Sequence, residues 1–219
     1  WLTDQSALAD WIDRVFGPRK YYLISLVIVL YALLPFFMAF EGRKPEVREL
    51  VVLATMIALA TAGRAAFFMT PSFKPIIAIV IISAIAFGAE AGFLVGSMTM
   101  LVSNFLFGQG PWTPWQMFAM GFIGFLSGIL YRLRILPTKR LQLSVYGFLV
   151  TFMIYGGIMN PAALFMSVYQ FSWSGLLAIY ISGVPVDLVH ASSTFLFLWI
   201  GAKPLLEKLQ RIKVKYGLL

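Results

Sequence analysis

Residues 88–118 read GAEAGFLVGSMTMLVSNFLFGQGPWTPWQMF and contain the least generic part of the chain. An apolar stretch opened by glycines leads into a short loop and then into a second apolar stretch. The loop, residues 108–116, holds two glycines, two prolines, two tryptophans and two glutamines. Glycine and proline are the residues that shape tight turns. We therefore expect a rigid polar and aromatic patch between two helices.

Composition assigns the chain to the membrane. Of its 219 residues 60% are hydrophobic and 12% are charged, and the mean hydropathy is +0.87. Soluble domains carry about 25% charged residues, and a helix needs about 20 mostly apolar residues to cross a bilayer. Several apolar runs here reach that length. We therefore predict an all-α, polytopic membrane helix bundle.

The apolar runs predict one extra N-terminal helix followed by a six-helix core. Aspartates among apolar side chains in the first 20 residues indicate an amphipathic segment at the membrane interface. The extra span then covers residues 21–40, and the core spans cover residues 50–68, 75–87, 93–107, 117–131, 143–159 and 176–200. The run 75–87 is too short to span unless other parts of the protein continue its ends. We expect two units, residues 1–48 with the interfacial segment and extra helix, and residues 49–219 with the core and a basic tail.

Basic residues are concentrated on one side of this bundle. Twelve of the 17 Lys and Arg residues lie in the connectors 41–49 and 132–140 and in the tail from 203. The opposite loops, 69–74, 108–116 and 160–175, hold only Lys74. The positive-inside rule therefore predicts a cytoplasmic C-terminus and an outward-facing loop 108–116. The net charge of +8 thus indicates membrane orientation rather than nucleic-acid binding.

Several chemistries are disfavoured by the residues present. The chain has no cysteine and one histidine, which excludes thiolate and multi-histidine metal sites. It has no phosphate-binding glycine loop ending in Lys and Ser or Thr, so we do not expect it to hydrolyse ATP. Ser127 lacks the glycine two positions before it that a serine intramembrane protease would need and lies toward the cytoplasmic side. We expect no enzyme activity, no metal and no intrinsic cofactor.

Three ionisable side chains fall well inside the predicted core spans: Arg64, Asp187 and His190. A charge in the hydrocarbon region is costly, so it is usually paired or faces a cavity. Asp187 and His190 are three residues apart and share a helix face, and Arg64 lies at a comparable depth. An Arg64–Asp187 pair is therefore geometrically plausible. It would either fix helix register or line an outward-facing cavity.

Aromatic and amide side chains gather on the predicted outer loops. An interfacial aromatic belt explains tryptophan and tyrosine, but not their combination with amides in a loop restricted by glycine and proline. With the three ionisable residues at the floor of the pocket, the other candidate substrate-binding residues are Phe73, Asn104, Gln109, Trp112, Trp115, Gln116 and Tyr169.

The first core helix carries alanines at four-residue intervals: Ala54, Ala58, Ala62 and Ala66. In lipid, a stripe of small residues lets another helix approach closely. The stripe either packs within the bundle or forms a docking face for a partner.

Residues about 50–205 resemble the substrate-binding S-component of energy-coupling factor (ECF) vitamin transporters. The likeness rests on the alanine stripe, Lys74-Pro75, the GAEAGF segment at 88–93, Ser103-Asn104-Phe105, the GQGPWTPWQ loop and GVPVDLVH at 183–190. It is greatest to the cobalamin-specific S-component.

The resemblance implies a six-helix bundle in the bacterial plasma membrane that binds a vitamin at its outer face, with cobalamin as the leading ligand. It implies a membrane T-component and two cytoplasmic ATPases as partners. Ala54, Ala58 and Ala62 match the motif that docks on the T-component in this family. The bundle would topple in the membrane to release the vitamin inside while the ATPases supply the energy. The extra helix lies outside this pattern.

Other interpretations stay open at this level. A stand-alone secondary carrier driven by a proton or other gradient and a non-transporting membrane scaffold are the rival functions. Queuosine precursors, folate, pantothenate and other vitamins are alternative ligands.

Overall fold

The computed structural model describes residues 20–167 and 171–217, and within these ranges every regular element is a helix. The elements are α1 (Lys20–Gly42), α2 (Val47–Ala66), α3 (Ile76–Phe87), α4 (Ala89–Phe107), α5 (Thr113–Arg132), α6 (Arg140–Val150), a π-helical turn (Thr151–Tyr155), α7 (Gly156–Ser167) and α8 (Trp173–Tyr216). The segments α6, π turn and α7 form one continuous helix. Six helices of the described part are long and apolar enough to cross a membrane, and α3 is a shorter apolar helix. The predicted polytopic bundle, six core helices after an N-terminal one, is confirmed.

The two ends of the bundle differ in chemistry. We call the end with the loops 67–75 and 108–112 and the start of α8 the aromatic end. The other end, with the connectors 43–46 and 133–139 and the end of α8, is the basic end. The charge distribution predicts that the aromatic end faces outward, and this orientation stays a prediction.

Helices α4 and α5 pack backbone to backbone along a row of glycines, which we call the glycine seam. A Cβ added to Gly124 would overlap the carbonyl of Gly92, and one added to Gly96 would overlap the carbonyl of Met120. Small residues permit this approach, and van der Waals contacts then hold the helices together in lipid. The seam fixes the relative position of the two helices that carry the 108–112 loop.

Helix α3 forms the centre of the core. All 12 of its residues are buried, and its length of about 18 Å is less than the hydrocarbon thickness of about 30 Å. Two cations at the basic end bond its last carbonyls. Lys213 Nζ donates to Ala86 at 2.6 Å and Arg43 Nη1 donates to Phe87 at 3.4 Å. Positive charges are favourable at a helix C-terminus because they complement its dipole.

Arg43 also ties the connector between α1 and α2 to the core. Its guanidinium forms an ion pair with the buried carboxylate of Glu49, and it lies 3.7 Å from the carboxylate of Glu90. The connector is therefore anchored to the starts of α2 and α4 as well as to the end of α3.

Helix α1 packs on the core through aromatic rings. The Phe36 ring stacks on Phe93 with centroids 4.2 Å apart and meets Phe125 edge-on at 4.9 Å. On its other face, Ile28 and Tyr31 are 62% and 73% exposed, as expected for side chains that face lipid. The helix continues through Pro35. The predicted interfacial segment covers residues 1–20, of which all but Lys20 lie outside the described residues.

Four predicted boundaries are wrong, three of them because polar residues at helix ends look like loop residues. The loop predicted at 108–116 ends at Trp112, since Pro114 occupies the first turn of α5, where the missing N–H of proline costs nothing. The loop predicted at 160–175 is helical as far as Ser167. The last span continues as helix to Tyr216 instead of ending near residue 200. The break expected at 88–92 is the single residue Gly88, whose φ of 96° favours glycine.

Replacing Gly124 with valine should destabilise the bundle by about 1–3 kcal/mol, because overpacking forces the α4 and α5 backbones apart. Thermal unfolding of the purified protein in detergent measures the effect. Gly201→Val is the matched control, since Gly201 is also helical and a Cβ there meets no atom within 4 Å. An equal loss of stability in the two variants would contradict close packing at the glycine seam.

Candidate functional site

A network of polar side chains, which we call the Asn104 network, joins α2, α4 and α5 at the aromatic end. Arg64 Nη1 donates to Ser103 Oγ and to Asn104 Oδ1, both at 2.6 Å. Asn104 Nδ2 donates to Thr113 Oγ1 and to Gln116 Oε1, both at 2.9 Å. Asn104 is fully buried, so both ends of its amide have the partners that a buried polar group requires.

The network also holds the loop that precedes α5. Thr113 Oγ1 donates to Gln109 Oε1 at 2.8 Å and accepts from the backbone N–H of Gly110 at 3.3 Å. Gln109 Nε2 donates to the carbonyl of Leu101 at 3.1 Å. The Trp112 ring lies against Gly110, where any side chain would overlap it, and stays 40% exposed. The loop is rigid because its own side chains bond its backbone.

A second polar cluster lies among the π turn, α7 and α8. Asn160 Nδ2 donates to Asp187 Oδ2 at 2.8 Å. The Tyr155 ring meets the His190 ring edge-on, with centroids 4.6 Å apart and planes at 85°. His190 is buried, whereas Asp187 is half-buried. Tyr155 is the last residue of the π turn, a kind of helix irregularity that occurs frequently at functional sites.

Tyr155 connects this cluster to the Asn104 network. Its side chain lies near those of Gln116, Arg64 and Asp187. All four side chains are half-buried rather than fully buried. Their partial exposure leaves their polar atoms open to further contacts at this end of the bundle.

Aromatic rings and a second cation flank these groups. Phe67, Phe73 and Phe197 form a cluster with ring centroids 5.1 to 6.0 Å apart. The amine of Lys74 donates to the carbonyl of Thr70 at 3.0 Å. Burial and the positive charge of Arg64 lower the pKa of Lys74 from its ordinary value. This end of the bundle therefore combines aromatic rings, neutral hydrogen-bonding groups and two positive charges.

The structure brings most of the predicted site residues to these two clusters. Arg64, Asn104, Gln109 and Gln116 share the Asn104 network, and Asp187 and His190 belong to the second cluster. The plausible Arg64–Asp187 ion pair is not formed among the described residues. Neutral groups take its place, because Ser103 and Asn104 bond the guanidinium while an amide of α7 bonds the carboxylate.

The remaining predicted residues lie elsewhere. Phe73 belongs to the phenylalanine cluster and Trp112 to the exposed loop. Trp115 points away from the Asn104 network, since it lines a cavity beside α1 and stacks on Phe165 at 6.4 Å. Tyr169 lies outside the described residues. For each of them, contact with a ligand stays a prediction.

Sequence reasoning missed Ser103, Thr113 and Tyr155 as site residues. Tyr155 offered a signal, because it is a polar side chain within an apolar run and is followed by two glycines. Thr113 offered none, since its role depends on α5 beginning at that residue.

The alanine stripe on α2 faces outward from the bundle. Ala54, Ala58 and Ala62 are exposed, whereas Leu53 and Met56 on the other face are 1% and 2% exposed. Among the described residues, packing within the bundle therefore does not account for the stripe.

Fold and site together define a polytopic membrane protein with a polar, aromatic-lined site at one end of a helix bundle. A family model described as "ECF-type riboflavin transporter, S component" matches residues 44–211. The chain therefore belongs to this family, and it is an S-component, the substrate-binding membrane subunit of an ECF vitamin transporter rather than an enzyme. The comparison with curated proteins gives no match, and neither does the comparison with solved structures. The family description names riboflavin, not the cobalamin that the sequence resemblance favours.

A double-mutant cycle between Arg64→Gln and Asn104→Ala should give a coupling free energy of about 0.5–3 kcal/mol, because the two side chains bond directly. The free energy of unfolding in detergent is the measurement. The cycle between Arg64→Gln and Asp187→Asn is the comparison and should give a smaller coupling. A larger coupling free energy in the second cycle would indicate a direct ion pair between Arg64 and Asp187 instead.

Proposed function

We propose that this S-component captures a vitamin at its aromatic end, outside the cell, and releases it inside after toppling against a T-component. Two ATPases on the cytoplasmic side, where the C-terminus lies, supply the energy. The observation that supports this proposal best is the Asn104 network, which holds partly exposed polar groups in place at the aromatic end before any ligand arrives. Such preorganisation reduces the ordering cost that binding must offset.

Arg64 is the central ligand contact in this proposal. Its guanidinium carries five N–H donors, and Nη1 makes both of its hydrogen bonds within the described residues. The other two nitrogens are left to bond an oxygen of the vitamin. Gln116 and Tyr155 add neutral polar contacts, and the ring of Phe73 provides an apolar wall. Asp187 and His190 form the floor, while Gln109 and Trp112 belong to the lid.

Riboflavin is the first candidate for the vitamin, since the family description names it. Its flat ring system with carbonyl oxygens also fits aromatic faces beside an arginine. Cobalamin is the second candidate, which the resemblance of the GQGPWTPWQ loop favours. Both are large molecules with many neutral hydrogen-bonding groups, as expected for a site with apolar walls and a few placed polar groups.

Arg64→Gln should weaken vitamin binding by about 10-fold to 100-fold, because a hydrogen bond to a charged group contributes about 1.5–3 kcal/mol. Binding of riboflavin to the purified protein is measured from the change in riboflavin fluorescence, and binding of cobalamin is measured by equilibrium dialysis. Lys203→Gln is the control, since it removes an exposed positive charge at the basic end. If neither vitamin binds saturably, both candidates are contradicted. If other vitamins also fail to bind, the scaffold interpretation is favoured.

The exposed alanine stripe supports docking on the T-component. Its three small side chains leave a shallow face that another helix can approach closely, and close packing is what holds helices together in lipid. The stripe is on α2, and α1 packs against α4, α5 and α7. The docking face therefore stays uncovered by the extra helix.

Ala58→Leu should abolish uptake while vitamin binding by the purified subunit stays unchanged, because the added bulk prevents close approach of the T-component. Uptake is measured in cells that contain the T-component and the ATPases. Ala39→Leu is the control, as it adds the same side chain to an exposed position of α1. Uptake that persists without the ATPases and follows a proton gradient would instead favour a secondary carrier.

A further inference from the structure

An apolar cavity of about 510 Å³ lies between α1 and the core, separate from the Asn104 network. We call it the α1 cavity. Its walls come from α1, α5 and α7 and include Ile28, Val29, Trp115, Phe118, Ile158 and Phe165. Its volume is within the range of about 300–1,000 Å³ that is typical of small-molecule sites. One wall is α1, which precedes the residues matched by the family model.

Trp115 lines this cavity and carries a polar atom that lacks a hydrogen-bond partner. It is 9% exposed, and its Nε1 has no hydrogen-bond acceptor within the described residues. A buried donor without an acceptor costs about 1–3 kcal/mol. An acceptor supplied by a bound molecule would remove that cost.

Water is a poor candidate for that acceptor. A buried water needs two to four polar partners, and apolar cavities stay dry. Besides Trp115, the walls offer the hydroxyl of Ser25, which has an interaction of its own. The geometry thus calls for a mostly apolar molecule that carries one hydrogen-bond acceptor.

The surroundings of the cavity indicate where such a molecule comes from. Ile24 and Ile28 line the cavity and are also 42% and 62% exposed on the membrane-facing side of α1. Trp115 lies in the first turn of α5, at the aromatic end. Tryptophan is favoured at membrane–water interfaces, because its ring sits in an apolar region while its N–H bonds a polar group.

We propose that the α1 cavity binds an acyl chain of a phospholipid, whose ester carbonyl accepts a hydrogen bond from Trp115 Nε1. The chain fills the space that the side chains of α1 and the core leave between them. Dispersion contacts along its length then join α1 to α5 and α7. The site takes a membrane lipid and does not depend on which vitamin the Asn104 network binds.

The ester carbonyl can be tested by removing it from the lipid. The full chain is purified in detergent with equal amounts of dioleoyl phosphatidylcholine and its diether analogue, which lacks carbonyl groups. Native mass spectrometry then counts the lipids retained. The unmodified protein should retain one lipid and prefer the ester by about 2-fold to 10-fold, the equivalent of one net hydrogen bond. Trp115→Phe should retain a lipid without that preference.

Occupancy of the cavity can be tested by filling it. Gly157 lines the cavity, and a Cβ added there meets no atom within 4 Å. Gly157→Leu should therefore reduce lipid retention at least about 10-fold without loss of thermal stability, since net burial of a leucine is favourable. Gly201→Leu, at another helical glycine with open space around it, should retain the lipid normally.

Three results would overturn the proposal. Equal retention of ester and ether lipids by the unmodified protein would show that Trp115 does not donate a hydrogen bond to the ester carbonyl. Equal retention by the two glycine variants would place the lipid elsewhere. Displacement of the lipid by saturating riboflavin or cobalamin would assign the cavity to the vitamin. If neither vitamin binds while the lipid results hold, the proposed function fails and the lipid site stands.

Discussion

The contact between α4 and α5 is the constraint on which the rest of the structure depends. Gly92 and Gly96 on one helix face the backbone of Met120 and Gly124 on the other, so the two backbones touch without intervening side chains. Because the contact runs along both helices, it sets their relative height as well as their distance. Asn104 near the end of α4 consequently lies at the level of the first turn of α5.

That alignment explains how the site holds a positive charge within a membrane bundle. Asn104 can bond Thr113 and Gln116 only because α5 begins beside it, and its oxygen is then free to accept from Arg64. The charge of Arg64 is distributed over neutral dipoles instead of being cancelled by a carboxylate. A guanidinium held in this way keeps donors for a ligand, whereas a direct ion pair with Asp187 would occupy them. The arrangement suits a site that must bind and later release its ligand.

The extra helix and the alanine stripe occupy different sides of the core. Helix α1 is joined to α4 by a stacked pair of phenylalanines, to α5 by an edge-on pair, and to the basic end by the ion pairs of Arg43. It is therefore attached to the core at several points along its length. The alanine face of α2 is left exposed, so an added helix on one side is compatible with partner binding on the other.

The sequence by itself determined the fold class, the number and order of the spans, the rigid aromatic loop and most of the residues that meet at the site. Hydropathy, charge asymmetry and turn residues act over short stretches of chain, so they can be read without the fold. The two Gly-x-x-x-Gly patterns, 92–96 and 124–128, are also visible in the sequence. Only the tertiary structure decided which groups bond each other. Arg64 and Asn104 are 40 residues apart, and the pairing of Arg64 with Asn104 instead of Asp187 depends on how the helices are placed. The seam contributes to that placement, because it holds α4 and α5 at a relative height that brings Thr113 beside Asn104.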